Sequence, residues 1–567
     1  MVDHYDQKPW LKFYDKHVPA KLTYPEKPFW DVVGEAFSKF PNRKALYYMG
    51  TGFTYRQLDI MSNKFANYLV KNGVRKGDVV GVNLPNLPAY YVAMLGTLKA
   101  GCVLSGVSPL LSAEELKHQL IDSGAKVLVT LDALFLPRIK PMVAQTQVKH
   151  VIATSIGDYL SPIMAFMGKR MKKFPTGKIE PLPGINVLSF KELMKTMPAD
   201  PVHVKVNMDD TCIMQYTGGT TGTPKGAELT HRNIISQVTQ IITWLDTPMG
   251  QDVGLTAFPL FHIAGLIIAM AMFSRGVTLI AVPNPRDQKF IISCMKKYKP
   301  DIVGNVPTVF LELMKQPEFR ALDFSKIQYF ASGAAPFPGE NIKEFEKIIG
   351  GPKLVEVYGL TETSPIITAL PRYGTKKPGS AGIPFPDTEI KIVDPGSGAV
   401  MPFGEPGELI VKGPQVFTKG YFKKPEETAN ALRDGWFHTG DIAKMDEEGY
   451  FFIVDRLKDM VNVSGFKVFT RELDDVITEH PDVFMGATVG IPDPDRPGSE
   501  IVASAIVLKP GIEKSDAEKT KIVEYLKGKV APYKVPKKVE FMDELPTSAV
   551  GKVLKRELRS KFKSEIK

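Results

Sequence analysis

Residues 216–226 read Y-T-G-G-T-T-G-T-P-K-G. Four glycines, four threonines, one proline and one lysine share eleven positions. Such a segment cannot build a core, because it has almost no apolar side chain and each glycine raises the entropy cost of ordering it. It can wrap an anion. Glycine lets backbone N–H groups turn toward a phosphate, and Thr217, Thr220, Thr221 and Thr223 add hydroxyl donors around Gly218, Gly219 and Gly222. Lys225 adds a positive point charge. The string is not a Walker A loop, since the lysine precedes Gly226 and no Ser or Thr follows it. The flanks suit a loop set between ordered elements. The apolar run 211–216 predicts a buried strand, and 227–242 predicts a helix with Thr230 as its N-cap.

Working outward, the 567 residues are too many for one ordinary domain. The 72 Lys and Arg against 62 Asp and Glu leave +10, spread along the chain without the basic block that sequence-specific nucleic-acid reading needs. Cys102, Cys212 and Cys294 lack C-x-x-C spacing, so neither a disulfide framework nor a zinc site is expected, and a reducing compartment fits. The polar first ten residues hold no apolar signal core, which makes the cytoplasm the expected location. The apolar part of 263–280 ends at Ser274, well short of the roughly 20 residues a bilayer crossing needs. A buried helix followed by a strand at 277–282 is expected there.

Helix and strand alternate through the first third. Helices are expected at 30–40, at 55–72 behind the N-cap Thr54, at 89–100, and at 113–122 behind Ser112. Strands are expected at 79–84, 103–107 and 127–130. The pattern predicts an α/β fold with a mostly parallel sheet. After Asp455 the texture changes. Strands at 486–491 and 501–508 and a helix at 514–529 predict a small α+β domain, which divides the chain into 1–455 and 456–567 with a hinge at about 455–459.

Residues 158–174 stand apart. Leu160, Ile163, Met164, Met167, Met171 and Phe174 fall at helical spacing on one face, and Lys169, Arg170, Lys172 and Lys173 cluster at one end. Either the helix lies on the protein's own core, or it lies on an anionic membrane surface as a peripheral contact on the inner face of the cell membrane.

Further motifs follow in order: P-L-F-H-I-A-G around His262, A-S-G-A-A-P at 331–336, which reads as a small-residue turn, Y-G-L-T-E-T at 358–363, D-G-W-F-H-T-G-D at 434–441, D-R-L-K-D at 455–459, N-V-S-G-F-K at 462–467, and P-T-S-A-V-G-K at 546–552. Together with 216–226 they resemble the adenylate-forming superfamily of acyl-CoA synthetases, luciferases and peptide-synthetase adenylation domains. The similarity is strongest to the medium- and long-chain fatty acyl-CoA ligases, which also carry a basic insertion before the phosphate loop.

The resemblance implies a large N-terminal domain of αβαβα-type layered sheets and a small mobile C-terminal domain. It implies ATP, Mg²⁺ and coenzyme A as cofactors and a fatty or other carboxylic acid as substrate, with a homodimer left open. By similarity, ATP and AMP are bound by 217–223, Lys225, Gly333, Ala334, Ala335, Glu356, Val357, Tyr358, Gly359, Thr361, Asp441, Ile453, Arg456 and Lys552. Tyr358 would stack on adenine, Asp441 would accept both ribose hydroxyls, Thr361 would reach the α-phosphate, and Glu362 with Thr220 would hold Mg²⁺. Lys552 would contact carboxylate and phosphate, and Lys458 would fall at the hinge. Ser464, Gly465, Phe466 and Lys467 would line the CoA arm. His262, Ala264, Gly265, Leu266 and Ala335 would border the acyl site, although Leu266 stands where some long-chain relatives carry a gating Trp. Many relatives have Lys at 462 and Pro at 470, where this chain has Asn462 and Thr470, and no role is assigned to either.

The activity implied is acyl-AMP formation with pyrophosphate release, followed by transfer to CoA. The runner-up is an aryl or small-acid CoA ligase. A carrier-linked adenylation domain and a firefly-type oxygenase fit less well. From a different class, a non-catalytic lipid carrier or membrane scaffold would have no reason to keep Thr361, Glu362, Asp441, Arg456 and Lys552 together.

Overall fold

The computed structural model describes residues 4–171, 174–202, 204–217, 224–335, 337, 339–464, 466–496, 498–548 and 551–564. Two large sheets organise the N-terminal part. The first has seven strands, ordered Asn186–Ser189, His150–Thr154, Val127–Leu131, Val79–Asn83, Val103–Gly106, Thr211–Thr217 and Lys225–Thr230. All of its pairings are parallel except the last. The second has nine strands, with a parallel centre through Val253–Thr256, Ile302–Asn305, Tyr329–Ser332 and Leu354–Gly359. A five-stranded antiparallel sheet holds Trp436–Met445 and Phe451–Arg456.

Most helix starts follow from local chemistry. Thr54, Ser112 and Thr230 each close a reciprocal capping box, with Gln57, Glu115 and Asn233 respectively. The Ile263–Ser274 helix is apolar on every side because it is buried between the sheets. One core holds it together with His231–Trp244 and with strand residues of both sheets, among them Ile213, Leu229, Leu279 and Val355.

Two local expectations are corrected. Residues 225–230 are a strand, not the start of a helix, and the helix begins only at His231. Ala227 and Leu229 are both buried, and six backbone positions pair with the Thr211–Thr217 strand, so sheet pairing decides the conformation. Thr54 caps the Tyr55–Lys71 helix as expected, and it also closes a short strand, Thr51–Thr54. Ala331 and Ser332 belong to the strand Tyr329–Ser332, so the small-residue turn starts only after them.

The C-terminal unit is α+β, as expected. It has strands Val483–Pro492, Glu500–Leu508 and Lys538–Phe541, the hairpin Val461–Val463/Phe466–Val468, and helices Thr470–Thr478, Asp516–Lys527 and Lys555–Ser564. It is docked on the N-terminal part. A Cβ at Gly551 would lie 2.4 Å from Thr308 Oγ1, and the Lys315 ammonium sits 3.6 Å from the centroid of Phe484.

The Pro162–Arg170 helix does not lie on the core. Ile163 is 72% exposed and Phe166 67%, and Met164, Met167 and Met171 are exposed as well. A cavity of about 310 Å³, lined chiefly by Phe53, Met61, Tyr159, Leu160, Phe190 and Met194, opens beside it. No helix among the described residues is long and apolar enough to cross a membrane.

Candidate functional site

The site forms where the second large sheet, the five-stranded sheet and the C-terminal unit meet. Tyr358 is the penultimate residue of the strand Leu354–Gly359, and its hydroxyl donates to Asp441 Oδ2 at 2.6 Å. Asp441 lies on Trp436–Met445, is 4% exposed, and pairs through Oδ1 with Arg456 Nε at 3.2 Å. Burial and then the Asp441 charge hold the Tyr358 hydroxyl in its protonated form, well above the usual phenol range. Asp441 and Arg456 are cross-strand partners, so sheet register alone brings them together.

Glu362 sits in the short turn Thr361–Thr363 that follows Tyr358, and it is 7% exposed. The Tyr421 hydroxyl donates to its Oε1 at 2.6 Å, and the Phe417 amide donates to its carbonyl at 2.7 Å. The Lys225 ammonium lies 4.9 Å from the centroid of that same Tyr421 ring. The end of the glycine-rich stretch and the turn bearing Glu362 therefore share one aromatic post. Sequence reading missed Tyr421. Its only local signal was an aromatic pair, Tyr421–Phe422, and its value comes from a backbone bridge to Ala227 on the lysine-bearing strand. Thr217 ends the Thr211–Thr217 strand opposite Lys225. Gly218, Gly219, Thr220, Thr221, Gly222, Thr223 and Gly465 lie outside the described residues, so the proposed Thr220 contact to Mg²⁺ lies there too.

Lys552 reaches this cluster from the C-terminal unit. Burial pulls its ammonium down to about 8, with Arg456 next, while Asp441 and Glu362 oppose that fall. His262 N-caps the Ile263–Ser274 helix, with its Nδ1 accepting from the Ala264 amide at 3.3 Å. Burial, and then Lys552, push the imidazole down to about 4. Lys458 is exposed yet also lies below the ordinary lysine range, through desolvation first and Arg456 second.

Two further residues set the His262 loop, and sequence reading missed both. Asn86 accepts from the Leu260 amide at 2.8 Å and donates to the Phe258 carbonyl at 2.9 Å. Gln215 donates to the Phe261 carbonyl at 3.0 Å.

The small residues divide into two groups. Gly359 and Gly333 are required by close backbone approach: an added Cβ would meet Pro365 O at 1.8 Å and Val357 O at 2.9 Å, respectively. Ala334 takes φ +69°, a left-handed conformation that a non-glycine residue adopts only when its surroundings impose it. Ala335, Val357 and Ile453 are partly buried around the same strands. Gly265 has a local packing reason to be small. Its missing side chain accommodates the Pro259 carbonyl, which a Cβ would meet at 2.3 Å. Leu266 is fully buried in the core.

Glu356, just before Tyr358, has a buried Oε2 with no hydrogen-bond partner. Burial lifts its carboxyl to about 8, which Arg471 of the C-terminal unit partly offsets. The Ser464, Phe466 and Lys467 turn lies elsewhere. Ser464 takes φ +50° and is held by Ser499 and Arg496, Phe466 stacks on Tyr533 at 4.7 Å, and Lys467 lies close enough to Asp394 to lower its carboxyl, a shift led by the Ser397 amide. Lys552 lies close enough to Asp441 and Glu362 for their charges to hold its ammonium up against burial.

Comparison with known proteins covers both parts of the chain. The AMP-binding enzyme family matches residues 33–422, and the AMP-binding enzyme C-terminal domain matches 472–552. A long-chain-fatty-acid–CoA ligase of Bacillus subtilis (strain 168) is 38% identical over 561 residues, spanning 97% of this chain and 98% of the relative. A long-chain-fatty-acid–CoA ligase of Escherichia coli O6:H1 is 38% identical over 573 residues, spanning 99% of each. Among solved structures, ATP-bound MatB from Rhodopseudomonas palustris superposes with a TM-score of 0.83 at 28% identity, over 95% of this chain and all of that one.

Proposed function

Since this chain belongs to the AMP-binding enzyme family, we propose that it is an AMP-forming fatty acyl-CoA ligase for medium- to long-chain acids. It joins a carboxylate to ATP, releases pyrophosphate, and passes the acyl group from acyl-AMP to the thiol of coenzyme A. The observation that carries this reading is the convergence of Tyr358, Asp441, Arg456, Glu362 and Lys552 on one place, drawn from two domains. The substrate class rests on the two relatives named for long-chain acids, which match nearly end to end.

The chemistry follows from the residues. A carboxylate is a poor acylating agent because its leaving group would be oxide. Attack of its oxygen on the α-phosphorus forms a C–O–P bond and expels pyrophosphate, so the thiol later displaces AMP instead. Two anions must first approach each other. Lys552 and Lys225 lower that repulsion, and Arg456 steadies the ribose side. Asp441 accepts the ribose hydroxyls, with its orientation fixed by Tyr358 and Arg456. The Glu362 carboxylate is the hard oxygen ligand a Mg²⁺ ion takes, and the Tyr421 hydroxyl on Oε1 orients it, so the residues present fit the ion. When bound, Mg²⁺ supplies further charge screening at the phosphates. His262 stays neutral beside Lys552 and borders the acyl site.

We divide the chain at 455–459 and assign it two poses. Rotation about Lys458 would withdraw Lys552 and bring in the 464–467 turn for the CoA arm. The exposed apolar Pro162–Arg170 helix and the basic residues beside it support peripheral contact with an anionic bilayer, from which a long-chain acid is drawn. ATP-dependent pyrophosphate release across acetate, octanoate, palmitate and benzoate tests the reading. Release driven by octanoate and palmitate is expected. Release driven by benzoate or acetate alone would replace it with the runner-up, and no release with any acid would leave a binding protein.

A further inference from the structure

A buried polar network crosses the proposed hinge. Asp455 is the penultimate residue of the strand Phe451–Arg456 and is 5% exposed. Thr470 opens the first helix of the C-terminal unit and is fully buried. Its hydroxyl lies 3.1 Å from Asp455 Oδ1 and 3.0 Å from Oδ2, and its backbone amide also donates to Oδ2. The Lys555 ammonium donates to Thr470 Oγ1 at 2.6 Å and to Asp474 Oδ2 at 2.9 Å. One hydroxyl can serve both partners, giving its proton to Asp455 and accepting from Lys555. The other oxygen of Asp474 takes the Thr488 amide at 2.5 Å.

Lys555 stands three residues after Lys552 and begins the Lys555–Ser564 helix. One turn further on the same face, Arg559 donates to Asp459 Oδ1 at 3.4 Å and to the Gly490 carbonyl at 3.2 Å. The helix behind Lys552 thus meets Asp459 directly and Asp455 through Thr470. Asp455 is joined by its neighbour Arg456 to Asp441, so the network runs from that carboxylate through Thr470 to Lys555, three residues after Lys552. A proline at 470, as in many relatives, would have neither the N–H nor the hydroxyl that meets Asp455 here.

We propose that Asp455, Thr470 and Lys555 form a cross-hinge latch that positions Lys552 for adenylate formation and must open before thioester formation. Thr470 and Lys555 are positioning residues, since neither touches the reacting atoms. The proposal rests on the ligase reading and on a hinge between Asp455 and Thr470. Thr470→Val removes the hydroxyl and keeps shape, Lys555→Met removes the ammonium and keeps the stem, and Thr470→Ser keeps both donors. In single-turnover assays, Thr470→Val and Lys555→Met are expected to slow pyrophosphate release about 10- to 100-fold, the range for losing a charge-assisted hydrogen bond. Acyl-CoA formation from supplied acyl-AMP should stay within about threefold, and Thr470→Ser should match the parent. Parallel loss of both half-reactions, or unchanged pyrophosphate release, would overturn the latch. A second readout does not depend on catalysis: without ligand, tryptic cleavage after Arg456 and Lys458 should rise in Thr470→Val and Lys555→Met but not in Thr470→Ser. Unchanged cleavage would also overturn it, whereas a parent protein that activates no acid would instead overturn the ligase reading.

Discussion

The Tyr358 hydroxyl donates to Asp441 Oδ2 at 2.6 Å, joining the end of a central strand to a carboxylate on a different sheet. The aromatic face and the carboxylate oxygens proposed to take the ribose are set as one unit before any nucleotide arrives, so less ordering remains to be done on binding.

Tyr358→Phe keeps the ring and removes that bond. A hydrogen bond to a charged group is worth about 1.5–3 kcal/mol, so KM for ATP should rise about 10- to 100-fold with kcat changed far less. Steady-state kinetics at saturating acid checks this, and an equal fall in kcat with KM unchanged would contradict it.

Lys552 should divide the two half-reactions. Lys552→Ala should lose pyrophosphate release by about 10²–10³-fold, the scale of removing a preorganised charge, while supplied acyl-AMP is still converted. The ammonium titrates near 8 in the unliganded pose, so kcat/KM for ATP should fall as pH rises through that value. Its folded value lies below that of the unfolded chain, which therefore binds the extra proton between the two, and stability gains as pH rises through that window. Lys552→Arg, always charged, should lack the alkaline limb.

His262 is held neutral down to about pH 4. Between there and the ordinary value of about 6.5 the unfolded chain takes the proton and the folded one does not, so stability falls as pH falls through that window. Thermal melts from pH 7 to pH 4.5 should drop less steeply for His262→Gln. Identical slopes would mean His262 protonates freely in the fold.

Glu362→Gln should raise the Mg²⁺ concentration giving half-maximal pyrophosphate release by about tenfold or more, because a neutral amide replaces a hard anionic ligand. Tyr421→Phe should shift it in the same direction by less. An unchanged Mg²⁺ requirement in Glu362→Gln would move the ion elsewhere.

Replacing Ile163, Phe166 and Met167 by serine should abolish flotation with anionic vesicles while leaving octanoate activation within about twofold, since all three side chains are exposed. Vesicle binding equal to the parent protein's would remove the membrane contact.

The difference between 225–230 and 231–244 shows how far local pattern reaches. Thr230 was legible as a cap because its partner Asn233 is three residues away. The strand before it was not, because its pairing residues at 211–217 must first be brought alongside. Tyr421, Asn86 and Gln215 escaped for the same reason: each acts on a residue far away in sequence, and none sits in a motif of its own.

The sequence by itself determined the α/β alternation, the small second domain and the inventory of reactive groups, since periodicity, capping and motif spacing are all short-range. Only the tertiary structure decided that Lys552 comes within reach of the charges of Asp441 and Glu362, that Ser464 is held by Ser499 and Phe466 by Tyr533, that the Ile163, Phe166 and Met167 side chains meet solvent, and that Thr470 closes on Asp455. These are contacts between surfaces that packing alone brings together, and a chain read one window at a time holds no record of which surfaces meet.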